Sequence, residues 1–313
     1  MPDPILSAPV VSVITVTYNS SGYVRDAIES VLGQSYTNLE YIIGDDCSTD
    51  GTWDIIGNYR DRRIKAYRNE KNIGEYANRN KAISLATGEY LIFIDGDDVI
   101  YKYGIELYLR MALDHPDAAI VITKGYTNNV IFPYLMEPKE TMLNHFFAID
   151  PLQSSFVSNF FLTKAVKKIA APKEYIQGDQ YLRLAIAIEY PVLLIGSYLT
   201  WHRETPGQAS SKLEGLGGIQ EIFRMSRETL NRVDFFDNQF KRYCIYKAES
   251  MFFRASLRYI LRLRIGHVLK HWKLSGISLR KLIREYFYFR DKRIHVPTLA
   301  DHDAGNPAKY KKI

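Results

Sequence analysis

Through the first hundred residues, short apolar runs alternate with longer segments in which apolar residues recur at helical spacing. The run VVSVITVT (10–17) is continuous and β-branched, as expected for a strand that is covered on both faces. Between Gly22 and Gln34, by contrast, the apolar residues lie three or four positions apart. Further strands are predicted at 39–45, 63–69 and 90–95, and further helices at 48–59 and 75–86. This alternation predicts an α/β fold with a mostly parallel, doubly wound sheet.

Polar residues follow three of the predicted strands at the point where each strand ends. Tyr18 and Asn19 follow the first strand, Asp45 and Asp46 follow the second, and the segment 95–98 follows the fourth. In doubly wound sheets, ligands bind beyond the carboxyl ends of the strands. The pattern therefore predicts one cleft that is lined with carboxylates.

The segment FIDGDDV (93–99) places Asp95, Asp97 and Asp98 within four positions, and such close carboxylates repel one another. A solvated turn with helix-capping acids is one interpretation. An EF-hand loop that starts at Asp95 is excluded, because Ile100 would stand where a glycine is obligatory. An ATPase acidic motif would need a G-x-x-x-x-G-K-[ST] loop, which the sequence lacks. The fourth interpretation is a divalent cation that joins protein carboxylates to substrate phosphates, as Mg²⁺ and Mn²⁺ usually bind.

The composition is that of a folded globular chain: 313 residues, 46% hydrophobic and 24% charged. The two cysteines, Cys47 and Cys244, are too few for a disulfide framework and fit a reducing compartment. The N-terminus lacks the basic lead-in of a signal peptide, and no apolar run reaches the roughly 18 residues of a membrane span. We therefore expect a cytoplasmic location.

Charge is distributed unevenly along the chain. Residues 1–210 carry 19 Lys+Arg and 25 Asp+Glu, whereas residues 211–313 carry 22 and 10. An acidic front and a strongly basic end suggest two separate roles. We predict a catalytic domain at 1–210 and a basic, mostly helical region at 211–313.

Four segments carry a family resemblance, in the same order and spacing as in the family. They are VSVITVTYN (11–19), IIGDDCSTD (42–50), NIGEYANRNKAI (72–83) and GEYLIFIDGDD (88–98). Together they strongly resemble the opening of glycosyltransferase family 2, whose members have the nucleotide-sugar-binding GT-A fold. The resemblance implies an inverting transferase that moves a sugar from a nucleotide donor to an acceptor hydroxyl.

The resemblance also implies roles for individual residues. Asp46 would accept a hydrogen bond from the imide of a uracil-type base, which favours UDP as the nucleotide. The alternative for Arg79 is an ordinary exposed helix arginine, and the alternative for Tyr18 is simple packing. The residues implied in nucleotide binding are Val16, Tyr18, Asn19, Asp46, Arg79 and Asp95, and those implied in binding Mn²⁺ or Mg²⁺ are Asp95 and Asp97.

A general base is expected downstream, to take the proton of the acceptor hydroxyl. The segment YIQGDQYLRLAIAIEYP (175–191) resembles the family's E-D-x-x-x-x-x-R segment, which makes Asp179 the implied catalytic base. Gly178 replaces the usual preceding acid. The alternative is that Asp179 only caps the helix 180–188, and the two roles are compatible.

The segment LTWHRETPGQAS resembles the loop that often closes the catalytic domain of the family. Arg203 and Ser210 match it, and Thr205 stands where a histidine is frequent. His202 could take the place of that histidine from another angle. We predict a mobile lid here, with Trp201, His202 and Arg203 as candidate lid or acceptor contacts.

Three departures from the family pattern are Cys47 for a glycine, Asn78 for an alanine and Ala82 for a glycine. The first predicts that no positive φ is required at position 47. Residues 126–166 are rich in aromatic and amide side chains, which suits acceptor recognition but equally suits a core.

The basic end of the chain predicts long helices with basic residues between apolar ones. Residues 241–273 are expected to form one long helix, and residues 277–293 continue the pattern. Such helices either lie on an anionic membrane surface or pack on the catalytic domain with their charges in solvent. No nucleic-acid-binding motif accompanies the charge.

Two other functions compete with the transferase. A sugar-1-phosphate nucleotidyltransferase would need a Gly-rich, Arg-containing loop after the first strand, which TYNSSGYV lacks. A non-catalytic nucleotide- or sugar-binding module would be expected to lose Asp95, Asp97 or Asp179. The absence of membrane spans and of a Q-x-x-R-W motif argues against a processive synthase. We therefore expect an enzyme that adds a single sugar in the synthesis of a bacterial-type surface glycan.

Overall fold

The computed structural model describes residues 9–124, 132–147, 150–169, 177–205, 216–261 and 265–290. Ten strands and eleven α-helices lie within these residues. The strands are β1 Val11–Thr17, β2 Leu39–Asp45, β3 Ile64–Arg68, β4 Tyr90–Phe93, β5 Val99–Ile100, β6 Ile120–Thr123, β7 Tyr134–Met136, β8 Asn159–Leu162, β9 Val192–Ile195 and β10 Thr200–Trp201. The helices are α1 Val24–Leu32, α2 Thr52–Gly57, α3 Glu75–Leu85, α4 Gly104–Asp114, α5 Pro138–Phe147, α6 Thr163–Ile169, α7 Gly178–Ala187, α8 Leu216–Arg232, α9 Asn238–Leu261, α10 Ile265–Ser275 and α11 Leu279–Arg290.

Eight strands form one mixed sheet in the order β3-β2-β1-β4-β8-β6-β9-β7. The first four strands of this order are parallel, as predicted, and β9 is parallel to β6. Strand β8 runs antiparallel to both β4 and β6, and β7 runs antiparallel to β9. A separate two-stranded ribbon pairs β5 with β10. The predicted α/β class with a mostly parallel sheet is confirmed.

Side-chain alternation in β1 explains why the sheet is covered on both faces. Val11 and Val13 belong to the apolar cluster that includes the buried face of α1, whereas Ile14 and Val16 belong to the cluster that includes Ala82 of α3. Successive side chains of a strand point to opposite faces, so a continuous apolar run needs a helix on each side.

The C-terminal helices pack partly on the catalytic fold and partly on one another. Phe147 of α5 stacks on Tyr243 of α9, with ring centroids 5.7 Å apart. Phe252 and Trp272 lie 5.9 Å apart. One continuous helix over 241–273 would separate these two residues by about 30 Å. The prediction of a single long helix is therefore wrong, because α10 folds back onto α9 to bury this aromatic contact. The domain boundary near residue 210 falls outside the described residues and stays a prediction.

No helix within the described ranges is both long and apolar enough to span a bilayer.

Glu40 in β2 forms hydrogen bonds to the amino-terminal parts of β1 and β3 and to the segment that precedes β4. Its buried carboxylate accepts hydrogen bonds from Ser12 Oγ (2.5 Å), Lys65 Nζ (2.6 Å), Thr87 N (2.5 Å) and Gly88 N (3.2 Å). Burial alone would raise the pKa of Glu40, but the bonds from Lys65, Ser12 and Thr87 outweigh it and lower the pKa to about 2.

Glu40 should therefore make the fold acid-sensitive. A carboxyl whose pKa is depressed in the folded state stabilises the fold above its unfolded pKa, and that stability is lost as the pH falls toward the folded pKa. We expect acidification from pH 5 to 2 to cost the wild type about 3 kcal/mol more than it costs Glu40→Gln. Urea unfolding across this pH range measures the difference, with the exposed Glu89→Gln as control. Parallel curves for wild type and Glu40→Gln would refute the assignment.

Candidate active site

The predicted site residues converge on one cleft at the carboxyl ends of β1, β2 and β4. The cleft has a volume of about 910 Å³ and includes the first turns of α3 and α7. Trp201 lines a smaller neighbouring cavity instead, and Arg203 is not among the described residues that line either space. The predicted residues that line the cleft are Val16, Tyr18, Asn19, Asp46, Arg79, Asp95, Asp97, Asp179 and His202.

Asp46 is buried directly after β2, and its carboxylate is held by three N–H donors. Asn69 Nδ2 and Ile73 N each donate to Oδ1 at 2.9 Å, and Gly74 N donates to Oδ2 at 2.9 Å. A carboxylate offers about four acceptor positions. These bonds fix the orientation of Asp46 and leave capacity for one further donor from the cleft.

Asn78, one of the departures from the family pattern, supports Asp46 from behind. Its Nδ2 donates to Gly44 O at 2.8 Å, and its Oδ1 accepts from Tyr67 Oη at 2.9 Å and from Asn69 Nδ2 at 3.0 Å. Asn69 thus connects Asn78 to Asp46. An alanine at position 78 would remove these three hydrogen bonds and with them the link from Asn69 to Gly44.

The prediction that position 47 requires no positive φ is wrong, because Cys47 has φ +63°. The turn that follows β2 imposes this conformation. Ser48 N donates to Asp45 Oδ2 at 3.0 Å, and Arg68 Nη2 donates to Ser48 O at 2.6 Å. A left-handed residue other than glycine costs roughly 1–2 kcal/mol, which the surrounding bonds must offset.

Asn19 also has a positive φ, at +53°, which asparagine tolerates better than most residues. Its N–H donates to Ser48 Oγ at 2.9 Å, and its Oδ1 accepts from Thr49 N at 2.8 Å. Asn19 therefore ties the loop after β1 to the loop after β2.

Asp95 is paired with a buried arginine of α3. Arg79 Nη2 donates to Asp95 Oδ1 at 2.7 Å and to Glu75 Oε1 at 3.0 Å. Removal from water raises the pKa of Asp95 to about 6; Arg79 opposes this shift, whereas the charges of Asp98 and Glu75 add to it. Arg79 is buried and lines the cleft, so it is not an ordinary exposed helix arginine.

The loop after β10 is docked onto the aspartate cluster. Asp98 accepts from Arg203 N at 2.9 Å and contacts His202 Nδ1 at 3.2 Å, and its hydrogen bond and charge raise the pKa of His202. Thr205 Oγ1 donates to Asp97 Oδ2 at 2.8 Å. The rest of the predicted lid, including Ser210, lies outside the described residues.

Asp95 and Asp97 could bind Mn²⁺ or Mg²⁺ only if a bound substrate supplied further ligands to the ion. Within the described ranges, no three His, Cys, Asp or Glu side chains are arranged to hold a metal by themselves. However, Mg²⁺ is usually bound through one or two protein carboxylates together with substrate phosphates and water. Two carboxylates at one cleft match that pattern.

Asp179 lies in the first turn of α7 and does not cap the helix, because the N-cap residue is Gln177 and no side-chain capping bond is present there. Its carboxylate instead accepts from Arg183 Nη2 at 2.8 Å and lies 3.5 Å from Tyr76 Oη. Arg183 follows Asp179 by four residues rather than the six of the family segment. This i,i+4 spacing places both side chains on one helix face and pairs them.

Tyr76 explains the glycine that precedes Asp179. A Cβ added at Gly178 would lie 2.7 Å from Cε1 of the Tyr76 ring, which is too close for any other residue without rearrangement. Tyr76 thus occupies the space that a larger residue at position 178 would need. Sequence reasoning missed this contact, because the two residues lie 102 positions apart.

Replacing Gly178 with alanine should therefore destabilise the fold by about 1–3 kcal/mol through overpacking. The double variant Tyr76→Ala/Gly178→Ala should lose less stability than the sum of its single variants, since the clash is gone. Thermal unfolding measures both effects. Gly57→Ala is the matched control, because its Cβ would meet nothing within 4 Å. Strict additivity of the two changes would show that the clash does not exist.

Phe156 is a second residue that sequence reasoning did not identify. Its ring lies 4.8 Å from Arg79 Cζ and 5.9 Å from Arg183 Cζ, and it stacks on Phe93 with centroids 4.4 Å apart. The buried ring of Phe156 therefore contacts both Arg79, which pairs with Asp95, and Arg183, which pairs with Asp179. In each arginine, Nη1 is buried and has no hydrogen-bond partner in the described structure.

Comparison with known proteins gives one family. The model of the family described as "Glycosyl transferase family 2" matches residues 12–170, which is just over half of the chain. A glycosyltransferase of Bacillus subtilis (strain 168), TuaG, provisionally named for teichuronic acid biosynthesis, is 45% identical over 108 residues. The Escherichia coli enzyme named UDP-Glc:alpha-D-GlcNAc-diphosphoundecaprenol beta-1,3-glucosyltransferase WfaP is 44% identical over 89 residues. These alignments cover 34% and 28% of this chain and only 43% and 36% of the two relatives.

Two solved structures share the fold. S. aureus TarS (1–349) in complex with UDP-GlcNAc superposes with a TM-score of 0.67 and 20% identity, over 88% of this chain and 80% of that one. The mannosyltransferase PcManGT from Pyrobaculum calidifontis, in complex with GDP-Man and Mn²⁺, superposes with a TM-score of 0.59 and 15% identity, over 93% and 90%. At these identities the likeness establishes the GT-A fold alone.

Proposed function

Because the chain belongs to glycosyl transferase family 2, we propose that it transfers a single sugar from a nucleotide donor to a hydroxyl group of a glycan or lipid-linked acceptor. The observation that carries the proposal is that carboxylates suited to three different roles line the same cleft. Asp46 is suited to read a base, Asp95 and Asp97 to share a metal with a diphosphate, and Asp179 to accept a proton.

We propose UDP as the donor nucleotide. The remaining acceptor capacity of Asp46 suits the imide N–H of uracil, which cytosine lacks. The donor in the printed name of WfaP is UDP-Glc, and one structural neighbour holds UDP-GlcNAc. The GDP-Man complex of another neighbour keeps GDP as the alternative to test.

Asp95 and Asp97 would hold Mn²⁺ or Mg²⁺ against the diphosphate. Such a cation neutralises the charge that develops on the leaving diphosphate. Arg79 would add a second positive charge nearby, since its buried Nη1 has no other partner among the described residues. Asp95 would then exchange part of its interaction with Arg79 for the cation.

Asp179 would act as the general base. Its carboxylate would take the proton of the acceptor hydroxyl as the oxygen attacks the anomeric carbon, and the bond from that carbon to the diphosphate would break on the opposite face. A single displacement of this kind inverts the anomeric configuration. Arg183 would hold the carboxylate in position by its 2.8 Å bond.

Hydrolysis of nucleotide sugars tests the proposal without knowledge of the acceptor. A screen of UDP-, GDP- and CDP-sugars with Mn²⁺ should show release of the nucleotide from UDP-sugars at a slow background rate. Formation of a nucleotide sugar from a sugar 1-phosphate and a nucleoside triphosphate would instead support the nucleotidyltransferase. Binding of UDP without turnover in any acceptor mixture would support a non-catalytic module.

We also propose that the enzyme works at the inner face of the cell membrane, in synthesis of a surface polysaccharide. The names of TuaG and WfaP support this setting. In this chain, residues 238–290 contain 13 Lys+Arg but only two acids, Glu249 and Glu285. Both acids are buried and paired, Glu249 with Lys281 at 3.1 Å and Glu285 with Arg242 at 2.5 Å. The exposed charges of these helices are consequently basic.

Exposed apolar side chains accompany those charges. Helix α10 exposes Ile265, Leu269 and Lys273 at i,i+4 spacing, and it also exposes Lys270 and Leu274 on the adjoining side. Helix α11 likewise exposes Leu279, Ile283 and Phe287 near Arg280 and Arg284. Apolar and basic side chains on the same helix faces suit an anionic bilayer surface.

The protein should therefore bind phosphatidylglycerol vesicles and not phosphatidylcholine vesicles. Leu269→Glu/Leu274→Glu should weaken this binding at least tenfold, because each leucine contributes about 1.5–3 kcal/mol when buried. Sedimentation with vesicles measures the effect. Leu107→Glu on α4, another exposed leucine, is the matched control. Equal binding by both variants, or no binding by the wild type, would remove the membrane proposal.

A further inference from the structure

A second cavity opens beside the donor cleft. It has a volume of about 480 Å³, within the usual range for small-molecule sites. Four residues line both spaces: Gln153, Ser154, Ser155 and His202. The two spaces are therefore neighbours that share part of their walls.

Three aromatic side chains at this cavity are exposed to solvent. Tyr101, Trp201 and Tyr198 have 51%, 45% and 70% of their surface accessible. They come from the β5–β10 ribbon and its flanks, where Trp201 pairs with Val99 directly after the aspartate cluster. Aromatic rings that are grouped at a concave surface and left uncovered indicate a ligand site.

The ribbon holds Trp201 in place. Arg203 Cζ lies 4.7 Å from the Trp201 ring, and Arg203 itself donates to Asp97 O at 2.9 Å and pairs with Asp26 at 2.7 Å. Tyr101 N donates to Leu199 O at 2.9 Å, which fixes the two flanks of the ribbon against each other. The aromatic surface is thus preformed and connected to the loop that carries Asp97.

The polar lining of this cavity differs from that of the donor cleft. Hydroxyl groups of Thr123, Ser158 and Thr200 lie around it, and Ser158 Oγ is 3.2 Å from Thr200 Oγ1. The described lining contains Lys124 but no carboxylate, whereas five carboxylates line the donor cleft. The carboxylates of the donor cleft therefore suit a metal–diphosphate group, and the second cavity suits a neutral or anionic ligand.

We infer that this cavity binds the acceptor as a pyranoside ring, which stacks on Trp201 and Tyr198 and directs a hydroxyl over the shared wall toward Asp179. A pyranose has an apolar C–H face for an aromatic ring and a rim of hydroxyls for side-chain hydrogen bonds. The inference rests on the proposed function, because it gives the second substrate of that reaction its place.

Saturation-transfer NMR tests the inference without turnover. The probes are the methyl pyranosides of glucose, galactose and N-acetylglucosamine, measured with UDP and Mn²⁺ present. The wild type should transfer saturation to at least one probe, and Trp201→Ala and Tyr198→Ala should each lower its affinity at least tenfold. Tyr103→Ala is the matched control, because Tyr103 is equally exposed but is not a described part of the cavity lining.

The same variants separate this inference from the proposed function. UDP-sugar hydrolysis and UDP binding should be unchanged in Tyr198→Ala, because this side chain does not line the donor cleft. Absence of probe binding to the wild type, or unchanged binding to both variants, would overturn the acceptor site. If the wild-type enzyme hydrolyses none of the UDP-sugars, the proposed function is instead overturned.

Discussion

Replacing Asp179 with asparagine should lower the rate of sugar transfer by about three orders of magnitude and leave UDP binding unchanged. General-base catalysis contributes roughly 10²–10⁴-fold, and the amide cannot take the acceptor proton. Asparagine can still accept the hydrogen bond from Arg183 through its amide oxygen. The loss should therefore appear in kcat rather than in the affinity for the donor.

Steady-state kinetics with a saturating UDP-sugar and an identified acceptor measures this effect. Glu189→Gln is a suitable control, because it removes a carboxylate just beyond the end of α7 that pairs with Lys168 and is not part of the described cleft lining. Thermal unfolding of each variant checks that the fold is intact. Retention of more than a tenth of the wild-type kcat in Asp179→Asn would assign the base to another group.

Replacing Asp97 with alanine should abolish the response to Mn²⁺ and reduce transfer by at least about 10³-fold, since electrostatic stabilisation of a leaving group is worth several kcal/mol. Asp97 is the clearer test of the two implied metal ligands. Removal of Asp95 would also disturb Arg79, which is buried and bonded to it at 2.7 Å.

Titration of Mn²⁺ into each variant in the presence of UDP gives the measurement. Asp114→Ala, at the exposed end of α4, should respond to Mn²⁺ as the wild type does. A variant at Asp97 that keeps both metal-enhanced UDP binding and turnover would show that the cation, if used, is held elsewhere.

Most of the elements in the first hundred residues could be predicted because they have strong local signals. Strand β1 is apolar on both faces, and the buried residues of α1 recur at helical spacing, so the parallel arrangement of β1 to β4 follows. Because ligands bind beyond the carboxyl ends of parallel strands, the sequence also predicts that Asp46, Asp95 and Asp97 line one cleft, as they do. Their roles in binding remain predictions.

Tertiary contacts that have no local signature were not predictable. The antiparallel insertion of β8 between β4 and β6 depends on pairing between distant segments. Helices α9 and α10 pack against each other through the contact of Phe252 with Trp272, whereas the local pattern favours one continuous helix. Likewise, the positive φ of Cys47 arises from bonds made by Asp45 and Arg68, which a residue type alone does not reveal.

Within the site, the sequence indicated the carboxylates but not the side chains that hold them. Phe156 lies between two arginines that come from α3 and α7, and Tyr76 fits against Gly178 across the cleft. Phe156 is 77 residues from Arg79 and 27 from Arg183, and Tyr76 is 102 residues from Gly178, so no local spacing rule connects them. The second cavity was hidden for the same reason, because its aromatic residues meet only when β5 pairs with β10.

Calorimetric titration of UDP, with GDP and CDP as comparisons, tests the central claim most directly. Each nucleotide is titrated with and without Mn²⁺, into the wild type and Asp97→Ala. A UDP-dependent transferase of the kind proposed here binds UDP in preference to GDP and CDP, binds it more tightly with Mn²⁺, and loses that gain in Asp97→Ala. Preference for GDP would contradict the choice of UDP as donor nucleotide and leave the transferase in place, whereas failure to bind any of the three nucleotides would contradict the proposed function as a whole.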